Sequence, residues 1–249
     1  MAIFDDEVIG TVGGGRLEFE AIDEAHLRLK ASRIDPDTQV LAPATLRYAL
    51  GPSLGQCCGG EMHLHYEMVS ANDIAHLTAR LKPVRTPLAL FGGGHVGKAL
   101  VQVLAPLPLN VLWIDSRDEI FPSNLPDNVR CEHSDPVQSA VPQLETGCRV
   151  LIMSFSHAED LDVVAACLLR QRKRGDLPFV GLIGSETKWA TFRHRLEARG
   201  FTKQELAHVT CPIGIVGITS KEPEVIAVSV AAQILQVMNS QGQGQSCVP

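Results

Sequence analysis

Length, composition and charge exclude several classes of protein. The chain has 249 residues, 45% of them hydrophobic and 20% charged, so it can bury the core of one large or two small domains. A formal net charge of −6 argues against binding nucleic acid through Lys and Arg. The seven cysteines are irregularly spaced, which is typical of a reduced, cytoplasmic protein. No apolar run reaches the roughly 18 residues of a membrane helix, so we expect no membrane or nucleic-acid partner.

The first 82 residues predict a small α/β domain. Strand-like stretches come first, and an amphipathic helix follows a run of three glycines: Gly13, Gly14 and Gly15. The free N–H groups at such a helix start can hold a phosphate. Two further strand-like stretches, "TQVLAPATLRYAL" and "EMHLHYEMVS", are joined by a loop. Ser70 and Asp73 then have the spacing of a capping box before the last helix of this region.

Two adjacent cysteines, Cys57 and Cys58, stand in that loop within "SLGQCCGGEM". Adjacent thiols do not form an ordinary unstrained disulfide. Soft thiolates suit a soft metal or a reactive sulfur atom in transit, and the glycines around them favour an accessible loop. The alternative is that one or both cysteines are small buried hydrophobic residues.

From residue 87 to residue 240, strand-like and helical stretches alternate, which predicts a parallel sheet covered by helices on both faces. Between the first strand and helix of this region, "FGGGHVG" supplies the three glycines of a dinucleotide-binding motif: Gly92, Gly94 and Gly97. These glycines permit a tight turn and the close approach of a phosphate to the backbone. A tight turn of this kind can also serve the fold alone, without a ligand.

Asp115 ends the next strand, about 20 residues further on, where dinucleotide-binding proteins place a ribose-binding carboxylate. It could equally cap its own strand. Arg117 could bind a phosphate, or it could pair with Asp115 or Glu119. The residues alone leave these alternatives open.

Together these patterns predict the α/β fold class. We expect an N-terminal α/β domain at 1–82 and a C-terminal Rossmann-like domain with a parallel sheet at 87–240. The prolines of "PVRTP" indicate a linker between the two domains. The polar, glycine-rich stretch 241–249 is expected to be a disordered tail.

Several longer motifs resemble one protein family. They are "GTVGGGRLE", "GQCCGG", "FGGGHVGKAL", "WIDSR…FP", "GLIGSETKWATFRHRL" and "CPIGIVGITSKEPEVIAVSVAAQIL". In this order, from about Gly10 to Met238, they are similar to the XdhC family of xanthine dehydrogenase accessory proteins. The resemblance implies an N-terminal α/β domain, a Rossmann-like domain and binding of the molybdenum cofactor, a molybdopterin.

By this resemblance the protein is expected to be a chaperone rather than an enzyme. It would hold the cofactor while a cysteine desulfurase installs the terminal sulfido ligand, and then assist insertion into the molybdenum subunit of xanthine dehydrogenase. We also expect a homodimer. The cofactor carries a phosphate, a pterin and a dithiolene-bound molybdenum, so its site needs an anion cradle, hydrogen bonds and soft groups.

The residues offer candidates for each of these needs. The glycine turns at 13–15 and 92–97 could hold the phosphate, and the second could hold a nucleotide. Gln56, His95 or Asp115 could read the edges of the pterin. Cys57 or Cys58 could contact molybdenum or a persulfide sulfur.

Three features depart from the family pattern. Family members usually carry a further N-terminal segment with a "GSxPR"-like motif, which this chain begins too late to contain. A common His-x-His arrangement is replaced by Phe155, Ser156 and His157. Glu186 and Trp189 stand where basic residues are common.

Two other functions are compatible with the residues. The first is an NAD(P)-dependent oxidoreductase that uses the glycine motif and Asp115, although no clear proton donor for hydride transfer follows the motif. The second is a non-catalytic protein that responds to a nucleotide.

Overall fold

The computed structural model describes residues 1–34, 42–50 and 60–242. The chain divides into two compact units, Met1–Lys82 and Pro83–Pro249. Among the described residues, none of the helices combines the length and the apolar character that crossing a bilayer requires.

The first unit is small and mixed. Its elements are β1 (Ala2–Ile3), β2 (Val8–Ile9), α1 (Gly15–Ile34), β3 (Ala44–Leu50), β4 (Gly60–Tyr66) and α2 (Ile74–Leu81). The pairs β1–β2 and β3–β4 are both antiparallel. Ser70 and Asp73 form the predicted capping box, since the Ser70 Oγ accepts from Asn72 N–H and Asp73 accepts from the Ser70 N–H at 2.8 Å.

The second unit alternates strands and helices as predicted. Its strands are β5 (Thr86–Phe91), β6 (Leu109–Asp115), β7 (Val129–His133), β8 (Arg149–Ile152), β9 (Phe179–Leu182) and β10 (Val209–Thr210). Its helices are α3 (His95–Leu104), α4 (His157–Arg174), α5 (Glu186–Ala198), α6 (Lys203–Leu206) and α7 (Pro223–Gly242). Helix α7 runs two residues into the stretch 241–249 that was expected to be disordered, and residues 243–249 lie outside the described residues.

The six strands form one parallel sheet in the order β10-β9-β8-β5-β6-β7. Counted from β5, this is the order of a Rossmann fold, so the structure confirms the predicted fold class. The strand order reverses between β5 and β8. In open parallel sheets, ligands bind in the crevice at the carboxyl ends of the strands beside such a reversal.

The central strand β5 buries residues on both faces of the sheet. Ala89 and Phe91 of β5 join a core with α4 and α5, whereas Leu88 and Leu90 join a core with α3 and α7. Because both faces of the strand are covered by helices, its residues are apolar in a continuous run, as is typical of a parallel sheet. Within the second core, Val230 and Ile234 of α7 are both fully buried.

Candidate functional site

The glycine-rich turn connects β5 to α3, and two of its glycines are sterically required. Gly92 has a φ of 122°, and a Cβ there would lie 2.0 Å from the carbonyl oxygen of Met153. A Cβ on Gly97 would lie 2.0 Å from the carbonyl oxygen of Gly92. Because neither position admits a side chain, these glycines set the tight corner between strand and helix.

Gly94 differs from these two glycines because the space beside it is open. It is the N-cap of α3, with a φ of −68°, and a Cβ there would meet no heavy atom within 4 Å. No side chain of the described residues caps this helix end, and both Gly94 and His95 are exposed. The first N–H groups of a helix lack intrahelical acceptors and carry partial positive charge. The start of α3 can therefore accept an anion such as a phosphate.

Asp115 lies at the end of β6, but its carboxylate is already occupied. It is 1% exposed and accepts from the Gly93 N–H at 2.5 Å and the Arg117 N–H at 2.9 Å. The Arg117 guanidinium adds two further bonds of 2.8 and 2.9 Å. Burial alone raises the pKa of Asp115, but the hydrogen bonds from Arg117 and Gly93 lower it below its usual value.

These contacts give Asp115 a positioning role. Its carboxylate holds the glycine turn through Gly93, while the Trp113 Nε1–H donates to the Gly92 carbonyl at 2.9 Å from the same strand. Of the alternatives open for Arg117, the structure has it paired with Asp115. In this geometry the Asp115 carboxylate is buried. A direct contact of Asp115 with a cofactor stays a prediction.

The other predicted phosphate cradle, in the first unit, contains an anion from the chain itself. Glu18 accepts from the Val12 N–H at 3.0 Å, from the Gly14 N–H at 3.2 Å and from the Thr11 hydroxyl. These bonds, with that from Thr11 the largest, lower the pKa of Glu18. The glycines at 13–15 all have positive φ, which shapes the loop around this carboxylate. The cradle predicted there for a phosphate is thus filled by Glu18.

The loop between β8 and α4 lies beside the strand-order reversal. Arg117, just after β6, contacts this loop at Phe155. Ser156 caps α4 by accepting from the Glu159 N–H at 3.2 Å. Phe155 is 66% exposed, and the Arg117 guanidinium lies 4.4 Å from the centre of its ring. His157 makes an edge contact with the ring of Phe192, with the ring centres 6.4 Å apart.

Ser156 and Glu159 have the spacing of a capping box, but the Glu159 side chain does not bind back to Ser156. Its Oε1 instead accepts from the Ser116 hydroxyl at 2.7 Å, across to the end of β6. Its Oε2 is buried and has no hydrogen-bond partner among the described residues, and the same holds for the Ser154 Oγ. Buried unpaired polar groups cost about 1–3 kcal/mol each, so proteins rarely keep them without a reason.

Further along the same edge, a buried ion pair supports the loop. The Lys188 Nζ lies 2.6 Å from the Asp160 Oδ2 and 2.8 Å from the Ile183 carbonyl oxygen. The Asp160 Oδ1 accepts from the Ser154 N–H at 2.7 Å. Burial raises the pKa of the nearby Cys211 thiol to about 11, although the charge of Lys188 acts in the opposite direction. That thiol is therefore protonated at neutral pH.

Gln56, Cys57 and Cys58 lie outside the described residues. Among the residues that are described, no group of three or more His, Cys, Asp or Glu side chains is arranged to hold a metal ion. A metal contact by Cys57 and Cys58 therefore stays a prediction.

The parallel sheet, its strand order and its glycine turn define a Rossmann-type domain. Residues 88–234 match the family model of the XdhC Rossmann domain. This match covers more than half of the chain, which therefore belongs to the XdhC family, as the sequence motifs predicted.

Individual proteins resemble the chain over most of its length. The Escherichia coli (strain K12) protein YqeB, described as uncharacterized, is 26% identical over 246 residues, which are 98% of this chain and 41% of YqeB. The chain thus spans about two fifths of that relative. A crystal structure described as a xanthine dehydrogenase from Bacillus halodurans superposes with a TM-score of 0.74 at 18% identity, over 96% of this chain and 85% of the other. This likeness supports the fold.

Proposed function

We propose that this protein is an accessory protein that binds the molybdenum cofactor for an enzyme of the xanthine dehydrogenase type. Membership of the XdhC family supports an accessory role. The observation that carries the proposal is at the carboxyl edge of the sheet. An uncapped helix start at Gly94 and a buried, unpaired oxygen of Glu159 are each tied to one of two adjacent residues at the end of β6, Asp115 and Ser116.

Two sets of contacts at the end of β6 relate these two features. The Gly93 N–H binds Asp115, and Asp115 binds Arg117. The neighbouring Ser116 binds Glu159. A ligand with a phosphate at one end and a polar ring system further along can therefore use both features at once, and the molybdenum cofactor has these parts.

The finer steps of the proposal rest on the family resemblance. The protein holds the cofactor while a cysteine desulfurase supplies its terminal sulfur, and then passes the cofactor to the molybdenum subunit of the enzyme. Cys57 and Cys58 are the proposed soft contacts of molybdenum or of the incoming sulfur. The protein has no catalytic turnover of its own in this proposal.

An NAD(P)-dependent oxidoreductase fits the geometry less well. The strand order and the glycine turn are those of a dinucleotide-binding fold. The acid that would bind the adenosine ribose is Asp115, and its carboxylate is taken up by Arg117 and Gly93. The ribose contact would require this buried pair to open, so we favour the accessory function.

The test is cofactor retention. The purified chain is mixed with molybdenum cofactor released from a donor molybdoenzyme and passed through gel filtration; molybdenum is measured by mass spectrometry and pterin by fluorescence after oxidation. We expect both to co-elute with the protein. Elution of the protein with neither molybdenum nor pterin would contradict the proposal.

A matched pair of variants tests the phosphate end. Both Gly94→Asp and Gly94→Asn fit the open space and the ordinary φ of this N-cap, where either residue is favourable. Only the Asp variant places a negative charge where the phosphate would bind. We expect Gly94→Asn to retain clearly more cofactor than Gly94→Asp at equal thermal stability, and equal retention would rule out this helix start as the phosphate site.

A further inference from the structure

We infer that Glu159 selects the ring system of the bound ligand, by accepting hydrogen bonds from the adjacent N–H groups of a 2-amino-4-oxo heterocycle. Pterins and guanine share this edge, and adenine lacks it. The inference rests on the proposed function, because it assigns the part of the site that reads the ring of a phosphorylated ligand.

The first observation is the position of the Glu159 carboxylate. The residue belongs to the first turn of α4, which follows β8, and Ser116 at the end of β6 fixes its Oε1 at 2.7 Å. Strand β5 and its glycine turn lie between these two strands in the sheet. The carboxylate is therefore held at the crevice beside the strand-order reversal, where this fold binds its ligands.

The second observation is the unpaired oxygen. The Glu159 Oε2 is buried and without a hydrogen-bond partner among the described residues. An ionised carboxylate only accepts hydrogen bonds, so the missing partner is a donor. The nearby cation, Arg117, already binds Asp115 with its guanidinium. A ligand N–H would remove the cost of the unpaired oxygen.

The third observation is an exposed aromatic ring in the loop that leads into α4. Phe155 is 66% exposed and belongs to neither core of the domain, and its contact is with the Arg117 guanidinium. An exposed ring next to a guanidinium offers a planar surface on which a heterocycle can stack. Because the Glu159 Oε2 is buried, a ligand reaches it when neighbouring side chains turn aside.

These three observations favour one class of ring. In pterin and guanine, a ring N–H and an exocyclic amino group stand side by side, so a carboxylate can accept from both. In adenine, the amino group stands beside ring nitrogens whose lone pairs face outward, and a carboxylate is repelled by them. The site should therefore prefer the 2-amino-4-oxo edge by about tenfold or more, which corresponds to one charge-assisted hydrogen bond.

The experiment compares two nucleotides that differ only in the base. Binding of GMP and AMP to the full chain is measured by isothermal titration calorimetry, with 6-hydroxymethylpterin as a third probe. We expect GMP to bind about tenfold more tightly than AMP. In Glu159→Gln the amide N–H₂ faces the donors of the ring, so this preference should fall to about one. Equal binding of the two nucleotides by the unaltered chain would overturn the inference.

The control is Glu197→Gln, which removes one negative charge from the exposed face of α5. It should keep the GMP preference. The Glu159→Gln variant should also keep its thermal stability, because Ser156 caps α4 through the backbone N–H of Glu159 and not through its side chain. If both Gln variants keep the preference, Glu159 does not read the ring.

Two further comparisons are needed. The first separates this inference from the proposed function, and the second distinguishes a pterin from a guanine nucleotide as the bound ring. If the unaltered chain and Glu159→Gln retain equal amounts of molybdenum cofactor and neither discriminates between GMP and AMP, the inference fails and the proposed function stands. If the chain shows a Glu159-dependent preference for GMP but retains no molybdenum cofactor, the ring selection stands and the proposed function fails. Displacement of GMP by the released cofactor would identify the pterin as the preferred occupant; failure of displacement would identify a guanine nucleotide.

Discussion

The Arg117 guanidinium binds both carboxylate oxygens of Asp115, at 2.8 and 2.9 Å, directly behind the glycine turn of the Rossmann domain. Asp115 stands at the sequence position of a ribose-binding acid, yet its carboxylate is buried and accepts hydrogen bonds from Arg117 and from the Gly93 N–H. The acid thus stabilises the turn that a ligand would approach. This relationship makes the contribution of the carboxylate to stability measurable apart from ligand binding.

We expect Asp115→Asn to lower the free energy of unfolding by about 2 kcal/mol, because it leaves a half-buried guanidinium without its anion. Asp162→Asn removes the carboxylate of an exposed pair with Arg199 and should cost less than about 1 kcal/mol. Urea unfolding at pH 7 measures both. Equal losses in the two variants would show that the buried pair has no special role in holding the turn.

The same pair predicts a dependence on pH. The pKa of Asp115 is lowered in the folded state, so its contribution to stability is fully present above the ordinary carboxyl pKa of about 4. This contribution is lost as the pH falls through the lowered pKa. We expect the stability difference between the unaltered chain and Asp115→Asn to be constant from pH 5 to pH 8 and to shrink below about pH 4. A difference that stayed constant down to pH 2 would contradict this assignment.

The alternation of strands and helices could be predicted from sequence because it depends on apolar runs and helix starts that each segment carries itself. Val230 and Ile234, for example, stand four residues apart and are both buried on one face of α7. The glycine motif likewise predicted its own turn. These features are local, and the residues that form them are close in the chain.

The partners of the carboxylates could not be predicted, because they depend on contacts between distant segments. Glu159 has the spacing of a capping box with Ser156, but its carboxylate binds Ser116, which is 43 residues away in sequence. Glu18 fills the cradle expected to hold a phosphate. Its position in the first turn of α1, where an acidic side chain is favourable, was the sequence feature that could have predicted this contact. Asp115 had two interpretations from sequence, and only the structure shows its pairing with Arg117.

The glycine turn yields a prediction about which positions tolerate a side chain. Gly92→Ala should cost about 3 kcal/mol or more, since the φ of 122° is unfavourable for alanine and the new Cβ would overlap the Met153 carbonyl oxygen. Gly94→Ala should change the free energy of unfolding by less than about 1 kcal/mol, because it meets open space at an ordinary φ. Thermal and urea unfolding measure both. A well-folded Gly92→Ala variant would show that the corner between β5 and α3 can relax.

The buried Lys188–Asp160 pair should behave as a coupled unit. Lys188→Met leaves the Asp160 carboxylate buried with the Ser154 N–H as its one remaining donor among the described residues, and should cost about 3 kcal/mol. Asp160→Asn alone leaves a buried ammonium and should also be destabilising. The double variant should be more stable than the sum of the two losses by about 1–3 kcal/mol. Strict additivity in a double-mutant cycle would mean that the two groups contribute independently.

Under the proposed accessory function we expect no hydride-transfer activity, and Asp115, at the position of a ribose-binding acid, is paired with Arg117. We expect NADH and NADPH to remain reduced when they are incubated with the protein and simple carbonyl substrates. The absorbance of the reduced nicotinamide measures this. Since Asp115 is already bound to Arg117, Asp115→Asn should not alter this result. Steady oxidation that depends on a defined substrate would favour the oxidoreductase function over the accessory one.

The cysteines give a last prediction that separates packing from function. Cys167 is fully buried in the core formed with α4, and burial raises the pKa of its thiol well above the usual range. Cys167→Ala should therefore cost on the order of 1 kcal/mol of stability and leave the amount of retained cofactor per folded protein unchanged. In the proposal, Cys57→Ala and Cys58→Ala instead lower bound molybdenum at an unchanged melting temperature, because their thiols contact the metal or its sulfur. Metal analysis after gel filtration and thermal melts of all three variants distinguish these effects. If the Cys57 and Cys58 variants bind the cofactor normally and lose only thermal stability, the adjacent thiols are packing residues.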